Sequence, residues 1–215
     1  MSVMPLNDLA IFLRERLRQP LPGPDAHEPL RATPTGLIKP RFDHPDPPRP
    51  GSVLILLYEK AGGIYFPLIK RPDYLGAHSG QVSLPGGKSE PGETPTETAL
   101  REAYEEIGVD PRHVDVVGIL SPFFVIPSNF IVTPIVGYLG QPLPFVPDHK
   151  EVERILNANL NRLLAEDAVQ ERDIIASRIF PMRAPHFLVE NEVVWGATAM
   201  MLNELRMVVR EVSRV

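Results

Sequence analysis

The sequence predicts an α/β fold in which a mixed sheet lies among helices, preceded by an N-terminal helix and a Pro-rich extended strap. Three observations predict it. Apolar runs of strand length, with Ser52–Tyr58 the clearest, alternate with helical patterns at 95–107 and 198–212, so strands and helices share one core. At 215 residues and 43% hydrophobic, the chain is long enough for one sizeable core. Ten prolines fall between Pro20 and Pro50, which disfavours both helix and central strand there. The division that follows is an N-terminal helix and extension at 1–50 and a domain at 51–215.

Leu6, Leu9, Leu13 and Leu17 recur at helical spacing, which predicts an amphipathic helix over 7–19. The proline stretch carries Leu21, Leu30, Leu37, Ile38 and Phe42, enough apolar side chains for a strap laid over the domain. Ser52–Tyr58 reads as a buried strand, and Ala61-Gly62-Gly63 turns it back into a second strand over Ile64–Lys70. Leu84-Pro85-Gly86-Gly87 is a tight turn whose glycines let backbone approach a ligand or metal. Thr94, Pro95 and Glu97 form a capping box with proline at the first helical position, and Gly108 sits where a left-handed end is expected, so 95–107 is a helix. Val114–Leu120 and Phe130–Leu139 are strands; Glu151–Leu164 reads as a short helix leading to a loop, Phe187–Trp195 as a late strand, and Thr198–Val212 as a closing amphipathic helix.

Composition excludes several functions. The formal charge of −5 is unlike the basic stripe of a nucleic-acid binder. Without cysteine there is no disulfide scaffold, thiolate catalysis or sulfur-ligated zinc. The first residues lack the pattern of a secretory signal, no run approaches 18 apolar residues, and Ser213-Arg214-Val215 is not a peroxisomal address. The expectation is a soluble cytoplasmic protein that binds neither nucleic acid nor membrane.

The helix at 95–107 carries the chemistry. At about 100° per residue, Glu102 and Glu106 lie about 40° apart and Glu105 about 60° away on the other side. Like charges at i,i+4 are destabilising, and Glu97–Arg101 and Arg101–Glu105 pairs offset only part of that. Three crowded carboxylates suit hard divalent cations, magnesium or manganese rather than zinc.

Gly87, Glu93 and the run Arg101-Glu102-Ala103-Tyr104-Glu105-Glu106-Ile107-Gly108-Val109 resemble the Nudix box, with Ala103 standing where a larger aliphatic is usual. The resemblance implies an α/β/α sandwich and a hydrolase of nucleoside diphosphates linked to another moiety. It also implies that Glu102, Glu105 and Glu106, with the carbonyl of Gly86, bind Mg2+ or Mn2+, while Glu93 and Arg101 orient them. Upstream, Leu68-Ile69-Lys70-Arg71, Leu75, His78 and Gly80-Gln81-Val82-Ser83-Leu84-Pro85-Gly86-Gly87 resemble the coenzyme A pyrophosphatase subgroup. Ser128–Val136 and Trp195-Gly196-Ala197-Thr198-Ala199 resemble its later segments. That subgroup's products are 3′,5′-ADP and a 4′-phosphopantetheine. The chain departs from its pattern at Pro72, at Leu84, and at Gly76, where an arginine is usual. ADP-ribose, a dinucleotide or an oxidised nucleotide are the alternative substrates, and a nucleotide sensor without turnover is the alternative function.

Lys70, Arg71, His78 and Gln81 are the candidate substrate contacts, Lys70 and Arg71 through phosphate oxygens. The general base is Glu106 or one of Glu151, Glu153, Glu190 and Glu192. Trp195 and Tyr104 have rings that stack on adenine, although isolated aromatics in a sandwich usually belong to the core. Phe123 and Phe124 line a channel or anchor a loop. A homodimer is compatible with the resemblance.

Overall fold

The computed structural model describes residues 4–37, 41–72, 80–177 and 179–212. The chain opens with α1 (Leu6–Arg16), a short α2 (Pro24–His27) and β1 (Thr33–Pro34). Then come β2 (Arg49–Lys60), β3 (Gly63–Lys70), β4 (Val82–Ser83), β5 (Gly86–Lys88) and α3 (Pro95–Ile107). These are followed by β6 (Val114–Ile119), β7 (Phe123–Val125), β8 (Phe130–Leu139), β9 (Arg154–Asn159) and α4 (Leu160–Leu164). The chain closes with β10 (Gln170–Ala176), β11 (Phe180–Val189), β12 (Glu192–Trp195) and α5 (Gly196–Arg210).

Among the described residues the larger sheet has the backbone order β4-β3-β2-β8-β6, with β9 on β3, β5 on β2 and β7 on β8. It is mixed: β2 runs parallel to β8 from Arg49 opposite Phe130 to Leu57 opposite Tyr138, and antiparallel to β3 and β5. Because side chains alternate along a strand, β2 serves two cores. Leu54, Leu56 and Tyr58 pack with Ala99, Ala103 and Ile107 of α3. Ile55 and Leu57 pack on the opposite side with α1 and α5, through Leu9, Leu13, Leu202 and Leu205. A strand buried on both faces explains the continuous apolar run. The sandwich of helix, mixed sheet and helix is therefore as expected, and each fully buried leucine contributes roughly 2 kcal/mol.

The strap lies on the domain but is not uniformly extended. Pro24 starts α2, where its missing N–H costs nothing, and β1 pairs with β11 at Thr33–Arg183 and Pro34–Met182. Leu30 is buried and Leu21 half-buried, whereas Leu37 and Phe42 are exposed; Ile38 lies outside the described residues.

Two expected elements are corrected. Residues 151–164 are not one helix, since Arg154–Asn159 is a strand against β3 and only Leu160–Leu164 is helical. Buried Val152, Leu156, Ala158 and Leu160 recur at intervals of two or four, so the period of two fits. Residues 187–195 are not one strand either. Glu190 and Asn191, with φ of 49° and 67°, make a tight hairpin turn between β11 and β12. The strands β1, β4, β5, β7 and β10 were not anticipated, and Gly86 and Gly87, expected within a tight turn, lie in β5 against β2; β10 is largely exposed and has no alternating apolar pattern to betray it.

Candidate functional site

The site forms where β5 meets α3. Thr94 accepts the Glu97 N–H while the Glu97 carboxylate accepts the Thr94 N–H, and Gly108 ends the helix at φ 71°. This capping fixes the helix register and with it the carboxylate face. Ala99 and Ala103, both fully buried, let α3 lie close on β2. Gly86 and Gly87 sit opposite Val53 and Ser52 in the β5–β2 ladder.

Glu106 is the deepest of the three carboxylates, 2% exposed, and its Oε2 accepts the Gly86 N–H at 2.8 Å. Burial pushes its carboxyl up to about 7; the Gly86 N–H and the Arg71 charge pull it down, and the charges of Glu102 and Glu151 push it up again. Glu102 is also raised, first by burial, against the pull of Arg101. Glu105 stands at the exposed edge. Arg71, at the end of β3, brings its guanidinium to 3.6 Å from Glu106 Oε1.

Arg101 organises the rest. It donates to both Glu93 oxygens at 2.6 and 3.1 Å, to the Lys88 carbonyl at 3.0 Å, to Glu102 at 2.8 Å and to Glu105 at 3.0 Å. Glu93 is held at about 2, first by Arg101 and then by the Glu90 N–H, and also accepts the Thr98 hydroxyl at 2.9 Å. Thr98, Lys88 and Glu90 were not singled out in the sequence; two of them act through backbone atoms, which residue type does not reveal. Glu97 closes the cap as expected, whereas Arg101 pairs with Glu93, Glu102 and Glu105 rather than with Glu97.

The three glutamates thus share one face as expected. Among the described residues, however, no group of three His, Asp or Glu side chains is arranged to hold a metal ion. Arg101 draws Glu102 and Glu105 to itself, and Glu106 faces Gly86 and Arg71. The donor set nevertheless fits a divalent cation. Two carboxylates of α3, raised first by burial and then by neighbouring acidic charge, stand beside the glycines of β5 and are the hard oxygen donors such an ion takes.

The other candidates divide. Lys70 is taken up by Glu192 at 3.0 Å and Glu153 at 3.6 Å, and Arg154 by Glu192 and Glu190. Those three carboxylates are therefore in ion pairs, while Glu151 acts on Glu102 and Glu106 through its charge. The Gln81 carbonyl accepts the Arg71 N–H at 3.0 Å. His78, with Leu75 and Gly76, lies outside the described residues. Tyr104 is 56% exposed rather than a core residue, and Trp195 is half-buried. Phe123 packs edge-on against His27, and Phe124 is exposed.

The NUDIX domain family matches residues 48–178. Nudix hydrolase 3 of Caenorhabditis elegans is 32% identical over 168 residues, 71% of this chain and 70% of that protein. The peroxisomal coenzyme A diphosphatase NUDT7 of Mus musculus is 37% identical over 127 residues, 59% of this chain and 53% of that protein. A solved Nudix hydrolase from M. smegmatis, RenU, superposes with a TM-score of 0.51 at 17% identity, covering 77% of this chain and 86% of that one; it shares the fold. No helix among the described residues is long and apolar enough to cross a membrane.

Proposed function

The chain belongs to the Nudix family, and from that premise we propose that it hydrolyses the diphosphate linkage of coenzyme A or a coenzyme A derivative, giving 3′,5′-ADP and a 4′-phosphopantetheine. The observation that carries the hydrolytic part is the buried Glu106 on Gly86, flanked on the same helix face by Glu102 and Glu105. Support for the substrate comes from the Gly80–Gly87 segment and from 37% identity to a coenzyme A diphosphatase.

In this reading Glu102, Glu105 and Glu106, with the Gly86 carbonyl, hold Mg2+ or Mn2+. Such an ion, when bound, neutralises phosphate oxygens and lowers the pKa of a coordinated water. Glu93 fixes Arg101, and Arg101 fixes Glu102 and Glu105, so these two are positioning residues. Proton removal falls to Glu106 or Glu151, the candidates for the base that share the cluster. Arg71, Lys70, His78 and Gln81 are the proposed contacts to substrate; Lys70 must exchange Glu192 for phosphate to act as one. The setting is cytoplasmic, and a homodimer, testable by sedimentation velocity, is the assembly the family resemblance suggests.

The test is an initial-rate comparison of coenzyme A, dephospho-coenzyme A, ADP-ribose, NADH and 8-oxo-dGTP with magnesium or manganese. Coenzyme A is expected to be turned over fastest, releasing 3′,5′-ADP. Faster turnover of ADP-ribose or 8-oxo-dGTP overturns the substrate assignment. No turnover of any of them, with nucleotide binding retained, overturns the enzyme reading in favour of a sensor.

A further inference from the structure

Among the described residues, Arg71 faces the deepest carboxylate of the site without hydrogen-bonding it. Its nearest nitrogen stands 3.6 Å from Glu106 Oε1, beyond hydrogen-bond reach. Its neighbours in charge are committed elsewhere: Lys70 to Glu192 and Glu153, Arg154 to Glu190 and Glu192, Arg101 to Glu93, Glu102 and Glu105. Arg71 itself is anchored through its backbone, by the N–H bond to Gln81 at the start of the segment leading to Gly86. Its side chain is about one quarter exposed, so the guanidinium is open to solvent on one side.

We propose that Arg71 is an exchangeable counter-ion: it faces Glu106 until a divalent cation takes that carboxylate, and the released guanidinium then holds an oxygen of the substrate's diphosphate. Two positive groups cannot share one buried carboxylate face without repulsion, so occupation of Glu106 by a cation drives Arg71 away from it. The planar guanidinium suits a diphosphate, which offers pairs of oxygens for two parallel hydrogen bonds. The consequence is an order of events. Cation binding is weakened by having to displace Arg71, and diphosphate binding is strengthened once it has. The proposal rests on the reading of this site as a diphosphate site, and goes beyond it by making one substrate contact conditional on the metal.

Binding alone tests it, at a single alkaline pH. The affinity for Mn2+ is measured by electron paramagnetic resonance on substrate-free protein. The affinity for methylenediphosphonate, a hydrolysis-resistant diphosphate, is measured calorimetrically at saturating Mn2+. Arg71→Met is expected to bind Mn2+ about 3- to 10-fold more tightly than the unmodified chain, as removal of a partly buried ion pair should do. It should bind methylenediphosphonate about tenfold more weakly. Arg71→Gln, compared in the same way, substitutes if the Met variant does not fold. Mn2+ affinity that is unchanged or weaker, or unchanged methylenediphosphonate affinity, overturns the proposal. Turnover by the unmodified chain is scored apart: its absence removes the hydrolase reading, while the two affinities decide the role of Arg71.

Discussion

The Glu102 carboxylate rests directly on the Cα of Gly87, so closely that a Cβ at that position would overlap it. The atoms met belong to a flexible side chain, so the chain relieves the contact by moving the carboxylate. Gly87→Ala is therefore expected to keep its melting temperature within a few degrees while losing at least about tenfold in metal affinity, by analogy with changes around a metal ligand. A Cβ on neighbouring Gly86 would instead meet the Ser52 carbonyl and the Val53 Cα, and its φ is +150°. Gly86→Ala should lose several kcal/mol, because backbone cannot give way. Thermal melts and Mn2+ titrations of the two variants separate the cases.

Arg101 joins Glu93, Glu102 and Glu105 through its fork of donors. Lysine carries the charge without that geometry. Arg101→Lys is expected to bind Mn2+ about 10- to 100-fold more weakly, with an unchanged far-ultraviolet spectrum. Wild-type affinity in this variant would remove Arg101 from its positioning role.

Far from the site, Glu204 of α5 is fully buried and ties down the strap. It accepts the Gly23 N–H at 2.9 Å, the Ser121 N–H at 3.1 Å and the Ser121 hydroxyl at 2.6 Å, and faces His27 Nε2 at 3.2 Å. Burial opposes its charge, but His27, Ser121 and Gly23 outweigh it and hold the carboxyl below the usual 4.5. The stabilisation is therefore present above pH 4.5 and is lost as pH falls through the lower folded value. Glu204→Gln should lose about 2 kcal/mol at neutral pH and show a flatter loss of stability as pH falls below 4.5. Urea titrations at several pH values measure both.

Thr94 closes the capping box that sets the register of α3. Thr94→Ala is expected to lose about 1 kcal/mol in chemical denaturation. A loss under about 0.3 kcal/mol would mean that docking on β2, rather than the cap, fixes the helix start.

What was legible in the sequence depended on whether local chemistry decided the outcome. The helix at 95–107 was read to its ends because Thr94, Glu97 and Gly108 act on their own neighbours. The β2–β3 hairpin was legible from its apolar runs and the glycine turn. Tertiary pairing decided the rest. Arg154–Asn159 is a strand because β3 offers it an edge, and β10 is a strand despite Glu171, Arg172 and Asp173 because β11 does. The carboxylate face was visible from spacing. Its charge partners were not, since Lys70–Glu192 and Arg71–Glu106 join residues 122 and 35 apart in the chain. Sequence separation of that size carries no periodic signal.

Glu106 is the carboxylate at the centre of the proposed cation-dependent hydrolytic site. The most direct test of that role is the magnesium dependence of the initial rate on coenzyme A, for the unmodified chain and for Glu106→Gln. The unmodified chain should be inactive with chelator present and saturate as magnesium is added, and Glu106→Gln should be at least about 100-fold slower at every concentration. A glutamine variant that keeps the unmodified rate, or turnover that survives chelation, would contradict it.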